Sequence, residues 1–522
     1  MLKKLHGRKL AVCLLGGAMY ALFSAFGWQA EHGGVIWAGG ALLVAALLVW
    51  PIAALLAVLL ERGYTRALRQ EKPFRAGRAF AFMLACYVPM FCVAFPGSFA
   101  YDVPYQLRQV VTGAYSTHHP LLHTLALGGL LQLGRALGDI NLGAALYTAL
   151  QMALLAGCFA LTCGSIARQS GARAAKRATV FFALYPLHMV MAVNATKDVL
   201  FGGFFALTLA LLNEMQEKPS RGLTLKIAVC GALAVMLRNN MAYAALVWLA
   251  LLTIGLRKGE KSAALAVLLA LAVGLCGNAA LKRATRAESG DMSEMLSWPI
   301  QQLARARLYD EDRLTDAEKE AIDELMPGEA WACYDPTISD PVKFEFDTQT
   351  FRADVKKYVG VWLSVGKKCA GTYLDATMAL TYPFFYPYRE YRVSGYYVQM
   401  GMSDAYDASW CDFDPPESRS LFPRALASLS WRFGAKGAMQ IPVVGWLFNM
   451  GVIVWTMLFF ALREMYWGRW RRFGTALLPV LLWGTFLLGP VMAGRYIYPF
   501  VCALPVLAAR PGRSVKEAAR HG

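Results

Sequence analysis

The chain has 522 residues, of which 57% are hydrophobic and 17% are charged, whereas a soluble protein of this length carries about 25% charged residues. The charges lie in short groups between long apolar runs, which excludes an ordinary arrangement of soluble domains and predicts an integral membrane protein. The net charge of +17 does not indicate nucleic-acid binding, because the basic residues follow the pattern of a membrane topology.

Twelve apolar segments are predicted to cross the membrane as helices. Five are long enough to span the hydrocarbon by themselves, namely 10–28, 35–60, 142–166, 263–281 and 443–462. Seven are shorter and need their polar ends to complete a crossing, namely 79–95, 179–193, 199–212, 223–237, 241–256, 476–492 and 496–509. A further apolar segment, 121–137, begins and ends on the same side, so we expect it to be a helix lying in the membrane interface.

The basic residues predict the orientation of these spans. If both termini are cytoplasmic, the inner segments carry 28 Lys and Arg residues and the short outer segments carry five. This asymmetry follows the positive-inside rule. The segment 282–442 holds 19 basic and 24 acidic residues and is predicted to lie outside the cytoplasm.

The predicted fold class is therefore an all-α polytopic membrane protein of about twelve transmembrane helices. Its parts are an N-terminal hairpin (1–60), a transmembrane core (79–281) with an outer loop (96–141), the extracytoplasmic segment (282–442), C-terminal helices (443–509) and a basic cytoplasmic tail (510–522).

The segment 282–442 carries its own structural signals. Thr315 and Glu318 have the spacing of a capping box and predict a helix ending near Pro327. The aromatic stretch 358–385 suits a helix on the membrane surface. Three cysteines in this segment allow one disulfide in an oxidising compartment and leave one thiol over; they are Cys333, Cys369 and Cys411.

Asp102 lies about seven residues after the third span, in the outer loop. A carboxylate there can accept a proton from a hydroxyl group as a general base. The competing interpretation is an ordinary solvated aspartate or a helix cap. His118, His119 and His123 end the same loop, where imidazoles can bind phosphate, move protons or bind a metal, although no carboxylate lies beside them at the spacing of a metal site. They can equally be interface histidines.

Charged residues also mark the short outer tips of later spans. Lys197 and Asp198 can form an ion pair that caps their helix, or Lys197 can bind a phosphate. Arg238 has the same two interpretations, with Asn239 beside it supplying an amide. Arg495 begins the last span from outside, where a lone arginine often extends to the interface.

Taken together, these tips indicate a shared site. They come from separate points in the chain but lie at one membrane depth, so a helical bundle gathers them around one cavity. One carboxylate with several cations suits a substrate that carries a phosphate and an acceptor that loses a proton.

Several motifs in this order resemble the GT-C superfamily of membrane glycosyltransferases, and more narrowly a bacterial branch of it. The resemblance covers roughly residues 90–390. It is carried by Pro96, Gly97, Tyr101, Asp102, Gln106, Gly113, His118, His119, Pro120, His123 and Thr124, then Thr196, Lys197 and Asp198, then Arg238, Asn239 and Asn240, then Pro299, Gln301 and Gln302, and finally Ser339, Asp340, Pro341 and Lys343.

The resemblance implies a sugar donor linked to polyprenyl phosphate, an extracytoplasmic active site in the bacterial cell membrane and an acceptor that is a glycan, a lipid or a protein. It implies that Asp102 is the catalytic base of an inverting transfer. Donor or substrate binding then falls to Tyr101, Gln106, His118, His119, Lys197, Asp198, Arg238, Asn239 and Arg495.

Two features depart from the superfamily pattern. The aspartate follows the third span rather than the first, which we attribute to an N-terminal addition of two spans. The first loop has no Asp-x-Asp motif, so no cofactor is assigned and dependence on Mg²⁺ or Mn²⁺ stays open. An acidic cluster that can bind a cation, or simply solvate a loop, consists of Asp404, Asp407, Asp412 and Asp414.

Two other functions stay open at this point. A transporter or flippase for a lipid-linked or anionic substrate is disfavoured, because the sequence has no internal repeat and its charges lie at one face only. A polymerase or ligase for lipid-linked saccharides has the same location and substrate, and the Asp102 loop argues against it.

Overall fold

A computed structural model describes residues 5, 7–32, 40–62, 73–100, 102–255, 261–387, 398, 400–403, 414–434, 441 and 443–510. These residues form an all-helical protein whose β-contacts are isolated bridges. The predicted all-α membrane class is therefore confirmed.

The first half of the chain forms α1 (Arg8–His32), α2 (Gly40–Arg62), α3 (Ala76–Ala94), α4 (Val103–Thr112), α5 (Leu121–Ala136), α6 (Ile140–Ser170), α7 (Ala172–Leu184), α8 (Pro186–Ala192), α9 (Lys197–Glu217), α10 (Arg221–Leu237), α11 (Asn240–Gly255) and α12 (Lys261–Thr285). The second half forms α13 (Ser297–Tyr309), α14 (Asp316–Leu325), α15 (Asp340–Lys343), α16 (Thr348–Ala353), α17 (Val355–Lys368), α18 (Ala370–Thr381), α19 (Pro423–Gly434), α20 (Met450–Tyr466), α21 (Trp470–Leu487) and α22 (Tyr498–Ala508).

Six of the twelve predicted spans are helices long and apolar enough to cross a membrane. These are α1, α2, α3, α6, α9 and α12. The other six predicted spans correspond to shorter or more polar helices: the pair α7 and α8, then α10, α11, α20, α21 and α22.

Three predicted segments have different boundaries in the structure. The span 179–193 is broken between α7 and α8 at Tyr185, because Pro186 disfavours the helical conformation in the residue before it. The last long span begins at Met450 rather than 443, because the Asn449 side chain accepts a hydrogen bond from the Val452 N–H and caps the helix there. The stretch 358–385 contains α17 and α18, separated at Cys369.

Helix α9 lies at the centre of the bundle, packed against α6, α10 and α22. The N-terminal pair α1 and α2 packs on α20. At one end of this pair the Lys9 Nζ and the Tyr466 hydroxyl both contact the Glu61 Oε1, at 2.6 and 2.7 Å. Because α9 is surrounded by other helices, its first residue is held in a fixed position at one end of the bundle.

Helices α13 to α18 form a separate core around Ile300, Leu325 and Tyr358. The predicted capping box is confirmed: Thr315 Oγ1 accepts from the Glu318 N–H, and Glu318 Oε2 accepts from the Thr315 N–H. Cys333 and Cys369 are both free thiols, while Cys411 lies outside the described residues. The described part of the large segment therefore holds no disulfide.

Helices α5 and α6 cross with almost no space between their backbones. A Cβ atom added at Gly143 would lie 2.2 Å from the Leu130 carbonyl oxygen, which is backbone and cannot move aside. We expect Gly143→Ala to lower the free energy of unfolding by about 1–3 kcal/mol, because the added methyl overpacks this crossing. Thermal unfolding in detergent measures the effect.

The matched control for this prediction is Gly157→Ala in the same helix, where nothing lies within 4 Å of an added Cβ. That variant should keep the wild-type melting temperature or slightly exceed it, since alanine favours helix. Equal melting temperatures for the two variants would contradict the close crossing.

Candidate active site

Two chain segments are joined by backbone pairing next to the site. The Ser98 N–H donates to the Val193 carbonyl, and the Ala195 N–H donates to the Ser98 carbonyl, both at 2.8 Å. The Gln151 side-chain amide, from α6, donates to the Ala192 and Asn194 carbonyls. This pairing brings the start of the Asp102 loop beside the tip that carries Lys197.

Asp102 is held by cations from two other parts of the chain. Its Oδ2 lies 2.9 Å from the Lys197 Nζ and 3.4 Å from the Arg495 Nη1. The Asp102 side chain remains 23% exposed, so the carboxylate is open to a ligand. Burial alone would raise the pKa of this carboxyl, but the charges of Arg495 and Lys197 hold that pKa well below its ordinary value.

A second ion pair lies behind the first. Asp198 is fully buried and pairs with the Arg238 guanidinium, and the Asp198 Oδ2 also lies 3.9 Å from the Arg495 Nε. The Arg238 guanidinium stacks over the rings of Phe486 and Tyr496, 4.3 and 4.5 Å from their centroids. Lys197 therefore pairs with Asp102. The alternative from the sequence, an ion pair between Lys197 and Asp198, does not form.

The site has a net positive charge. Its carboxylates are Asp102 and Asp198, and its cations are Lys197, Arg238 and Arg495. Three positive and two negative groups leave an excess of one positive charge when the nearby histidine is neutral. An anion is the ligand that this balance favours.

His119 and His118 occupy different environments. The His119 ring is buried with its Nδ1 3.6 Å from the Asp102 Oδ2, and burial lowers the pKa of His119 to about 3 against the attraction of Asp102. The His118 ring is exposed and packs edge-on against His119, with the ring centroids 4.6 Å apart. His119 thus contributes a neutral ring to the site, and His118 lies at its rim.

A buried chain of hydrogen bonds supports the loop from below. The Tyr147 hydroxyl donates to the Gln151 Oε1 at 3.0 Å and lies 2.8 Å from the His123 Nε2. The single Tyr147 proton is used on Gln151, so the His123 Nε2 must donate to Tyr147. The His123 Nδ1 then accepts from the Gln106 amide at 3.0 Å. His123 is therefore a neutral ring that links α4, α5 and α6.

The remaining predicted residues lie at different distances from this arrangement. Gln106 uses its amide on His123 and Thr124, in the buried chain rather than beside Asp102. Asn239 is exposed next to Arg238. Tyr101 lies outside the described residues. Tyr496 contacts Arg238 and adjoins Arg495, and sequence reasoning missed it although it follows Arg495 directly.

The large segment contacts both sides of the site. On one side the Thr117 N–H donates to the Glu288 carbonyl and the Gly290 N–H donates to the Thr117 Oγ1. On the other side the Trp298 Nε1 donates to the Leu487 carbonyl at 2.7 Å, and the Ser339 N–H donates to the Pro490 carbonyl at 2.8 Å. These bonds hold the turn with His118 and the loop that leads to Arg495.

Sequence comparison matches residues 109–521 to a family described as a family of unknown function, DUF6020. The chain belongs to this family. None of the curated proteins is similar to the chain in sequence.

Among solved structures, this DUF6020 protein is similar to ArnT from Cupriavidus metallidurans bound to undecaprenyl phosphate, at 14% identity over 88% of this chain and 77% of that one. The TM-score of 0.26 is too low to support an argument from that structure, so the chemistry of the site is argued from its own residues.

The Asp102 site does not fit a divalent cation. Both of its carboxylates already face lysine or arginine, and the site as a whole is positively charged. Within the described ranges no group of three or more His, Cys, Asp and Glu side chains is placed to hold a metal ion. Of the predicted acidic cluster, Asp404, Asp407 and Asp412 lie outside the described residues.

The buried histidines predict how stability depends on pH. Burial lowers the pKa of His119 and of His123 to about 3, from an ordinary 6.5. Between these values the unfolded chain binds protons that the folded chain does not, so stability falls as the pH drops below about 6.5. We expect the melting temperature to fall from pH 7 to pH 5, and to fall less in His119→Gln and in His123→Gln.

The control for the pH experiment is His118→Gln, which removes an exposed imidazole from the same turn. It should keep the wild-type difference in melting temperature between the two pH values. If neither buried-histidine variant reduces that difference, the two rings do not remain neutral in the folded protein.

Proposed function

We propose that this chain is an integral membrane glycosyltransferase. It transfers a sugar from a polyprenyl-phosphate-linked donor to a glycan, lipid or protein acceptor outside the cytoplasm. The observation that carries the proposal is the Asp102 carboxylate, partly exposed and held by Lys197 and Arg495 at the ends of separate helices. The resemblance of these motifs to GT-C glycosyltransferases supports it.

Asp102 is the general base of this reaction. The three neighbouring groups of this carboxylate, from Lys197, Arg495 and His119, all approach its Oδ2. Among the described residues the Oδ1 oxygen has no hydrogen-bond donor, and it is the oxygen that can accept the proton of an acceptor hydroxyl.

Lys197 and Arg495 bind the donor phosphate. Their side chains are 15% and 12% exposed, whereas Arg238 is more buried and already paired with the fully buried Asp198. A phosphate that reaches Lys197 and Arg495 competes with Asp102 for them. When Lys197 and Arg495 pair with the phosphate instead, they stabilise the Asp102 carboxylate less. The pKa of Asp102 then rises from its depressed value, and the carboxylate becomes a better base. Donor binding thereby activates the base.

The chemical step follows from these positions. The acceptor oxygen attacks the anomeric carbon of the sugar while the bond from that carbon to the phosphate oxygen breaks. The hydroxyl proton passes to Asp102. The polyprenyl phosphate leaves with an added negative charge, which Lys197 and Arg495 stabilise. Arg238 and Asp198 act behind them by holding Arg495 and Tyr496 in place.

Orientation and domain limits belong to the same proposal. The excess of basic residues in the inner segments supports cytoplasmic termini and an extracytoplasmic site. The segment 282–442 then lies on the side of the acceptor, and its contacts on both sides of the site favour a role in acceptor recognition. The hairpin 1–60 is an addition to the core 79–281.

Asp102→Asn should reduce sugar transfer by about 10²–10⁴-fold, because the amide cannot accept the proton. Binding of the donor should persist or tighten, since Lys197 and Arg495 no longer have a carboxylate to pair with. The measurement uses purified protein in liposomes with a panel of polyprenyl-phosphate sugars, following loss of sugar from the lipid and, separately, retention of the lipid.

Asp312→Asn, on an exposed turn of the large segment, is the control and should behave as wild type. Full activity of Asp102→Asn would remove the base assignment. If wild type consumes none of the donors but moves them between leaflets in the same liposomes, the transporter interpretation replaces this one.

Lys197→Ala and Arg495→Ala should weaken donor binding by tenfold or more each, because each removes a charge-assisted contact of at least about 1.5 kcal/mol. Arg238→Ala should instead destabilise the protein by about 3–5 kcal/mol, because it removes the close partner of the buried Asp198 charge and leaves only the Arg495 Nε, at 3.9 Å. Donor affinity and melting temperature, measured on all three variants, separate the two effects.

The double variant Asp198→Asn with Arg238→Gln removes both buried charges and should recover much of the stability lost in Arg238→Ala. Unchanged donor affinity in both Lys197→Ala and Arg495→Ala would exclude the phosphate site.

A further inference from the structure

A charged cavity lies at the far end of α9 from Asp102. It has a volume of about 500 Å³ and is open to the surface. Its lining residues come from the ends of α6 and α9 and the start of α10: Arg168, Glu214, Lys218, Pro219, Ser220, Gly222, Leu223 and Lys226. Lys197 is the first residue of the 21-residue helix α9, and Glu214 is in its last turn, so roughly 25 Å of helix separates the two sites.

The charges in this cavity are unbalanced. The Arg168 guanidinium pairs with the Glu214 carboxylate through two bonds, at 2.5 and 2.8 Å, and Ser165 donates a third to the same carboxylate. Both carboxylate oxygens of Glu214 therefore already accept hydrogen bonds. Lys218 and Lys226 are exposed, and neither forms an ion pair with a described residue. The cavity holds an excess of two positive charges.

The other carboxylate nearby does not compensate for these lysines. Glu217 follows the cavity on α9, and its Oε1 pairs with the Arg472 guanidinium at 3.2 Å. Neither lysine therefore forms an ion pair with a described carboxylate, although the charge of Lys226 does act on Glu214. A group with one or two negative charges and several acceptor oxygens, such as a phosphate ester, satisfies both of them.

Helix α10 carries exposed apolar side chains next to the cavity residue Lys226 in the sequence. Leu225 and Val229, four residues apart on one side of this helix, are 66% and 50% exposed. Exposed leucine and valine on a membrane helix face lipid chains. A ligand with a phosphate in the cavity and an acyl chain along this stripe uses both features, whereas free phosphate uses only the first.

We infer that this cavity binds the phosphate-bearing headgroup of an anionic membrane lipid, on the membrane face opposite the Asp102 site. The two lysines contact the phosphate, Arg168 is held at the rim by Glu214, and the acyl chain lies on Leu225 and Val229. The inference is independent of the proposed sugar transfer, because no residue of the cavity touches the Asp102 site.

The test compares Lys218→Gln with Lys226→Gln, made together, against the pair Lys176→Gln with Arg177→Gln. The control pair is exposed at the start of α7, at the same end of the bundle, and loses the same charge. The full-length protein is placed in phosphatidylcholine nanodiscs with increasing phosphatidylglycerol. Native mass spectrometry counts the phosphatidylglycerol molecules that stay bound to the protein after it is released from the nanodiscs.

The cavity pair should bind phosphatidylglycerol roughly thirtyfold more weakly than wild type, since each lysine near a lipid surface contributes about a factor of five. The control pair should stay close to wild type. Both pairs should keep the wild-type melting temperature, because none of the four residues forms an ion pair with a described residue.

Three results would overturn the inference. Equal weakening in both pairs would mean that only general surface charge attracts the lipid, and no weakening in the cavity pair would mean that the cavity is not used. Added inorganic phosphate should not displace the lipid; displacement at equal affinity would assign the cavity to a free phosphate compound and overturn the lipid assignment.

Discussion

The arrangement of the site depends on the contact of Asp102 with Lys197 and Arg495. A buried or half-buried carboxylate is costly unless cations lie beside it, and here the cations come from residues about one hundred and four hundred positions away in the chain. The contact requires the first loop, the start of α9 and the start of α22 to meet at one point. Two uncharged contacts help to hold these segments in place. They are the backbone pairing of Ser98 with Asn194 and the buried hydrogen-bond chain through His123 and Tyr147.

The charged residues of the site form an accessible group and a buried pair. Lys197 and Arg495 are partly accessible and share the accessible Asp102. Arg238 and Asp198 are buried, and the rings of Phe486 and Tyr496 cover the guanidinium. The inner pair fixes the geometry while the outer residues remain able to exchange one anion for another. The sugar transfer that we propose needs both properties, since its phosphate-bearing ligand would arrive and leave with every cycle.

Much of this was predictable from the sequence, and the limits have physical causes. Apolar length identified four of the six long helices, α1, α2, α6 and α12, whereas 443–462 was predicted to be long and forms the shorter α20. Helices α3 and α9 were predicted as short segments, because polar residues complete their length. The common depth of the charged tips indicated that Asp102, Lys197, Arg238 and Arg495 belong together. Lys197 and Asp198 do not pair with each other, because adjacent residues on a helix point in directions about 100° apart. Their actual partners, Asp102 and Arg238, were not predictable, because these contacts join distant parts of the chain. The roles of His123 and Gln106 depend on Tyr147, a tertiary contact with no local signal. The break at Tyr185 did have a signal, in Pro186, which the apolar run obscured.

The large segment is bonded both to the turn that carries His118 and to the loop that leads to Arg495. Its helices α13 to α18 have a core of their own, separate from the core of the bundle. The position of that one core is therefore coupled to both walls of the site. A ligand that displaced this core relative to the bundle would act on the turn of His118 and on the loop of Arg495 at the same time.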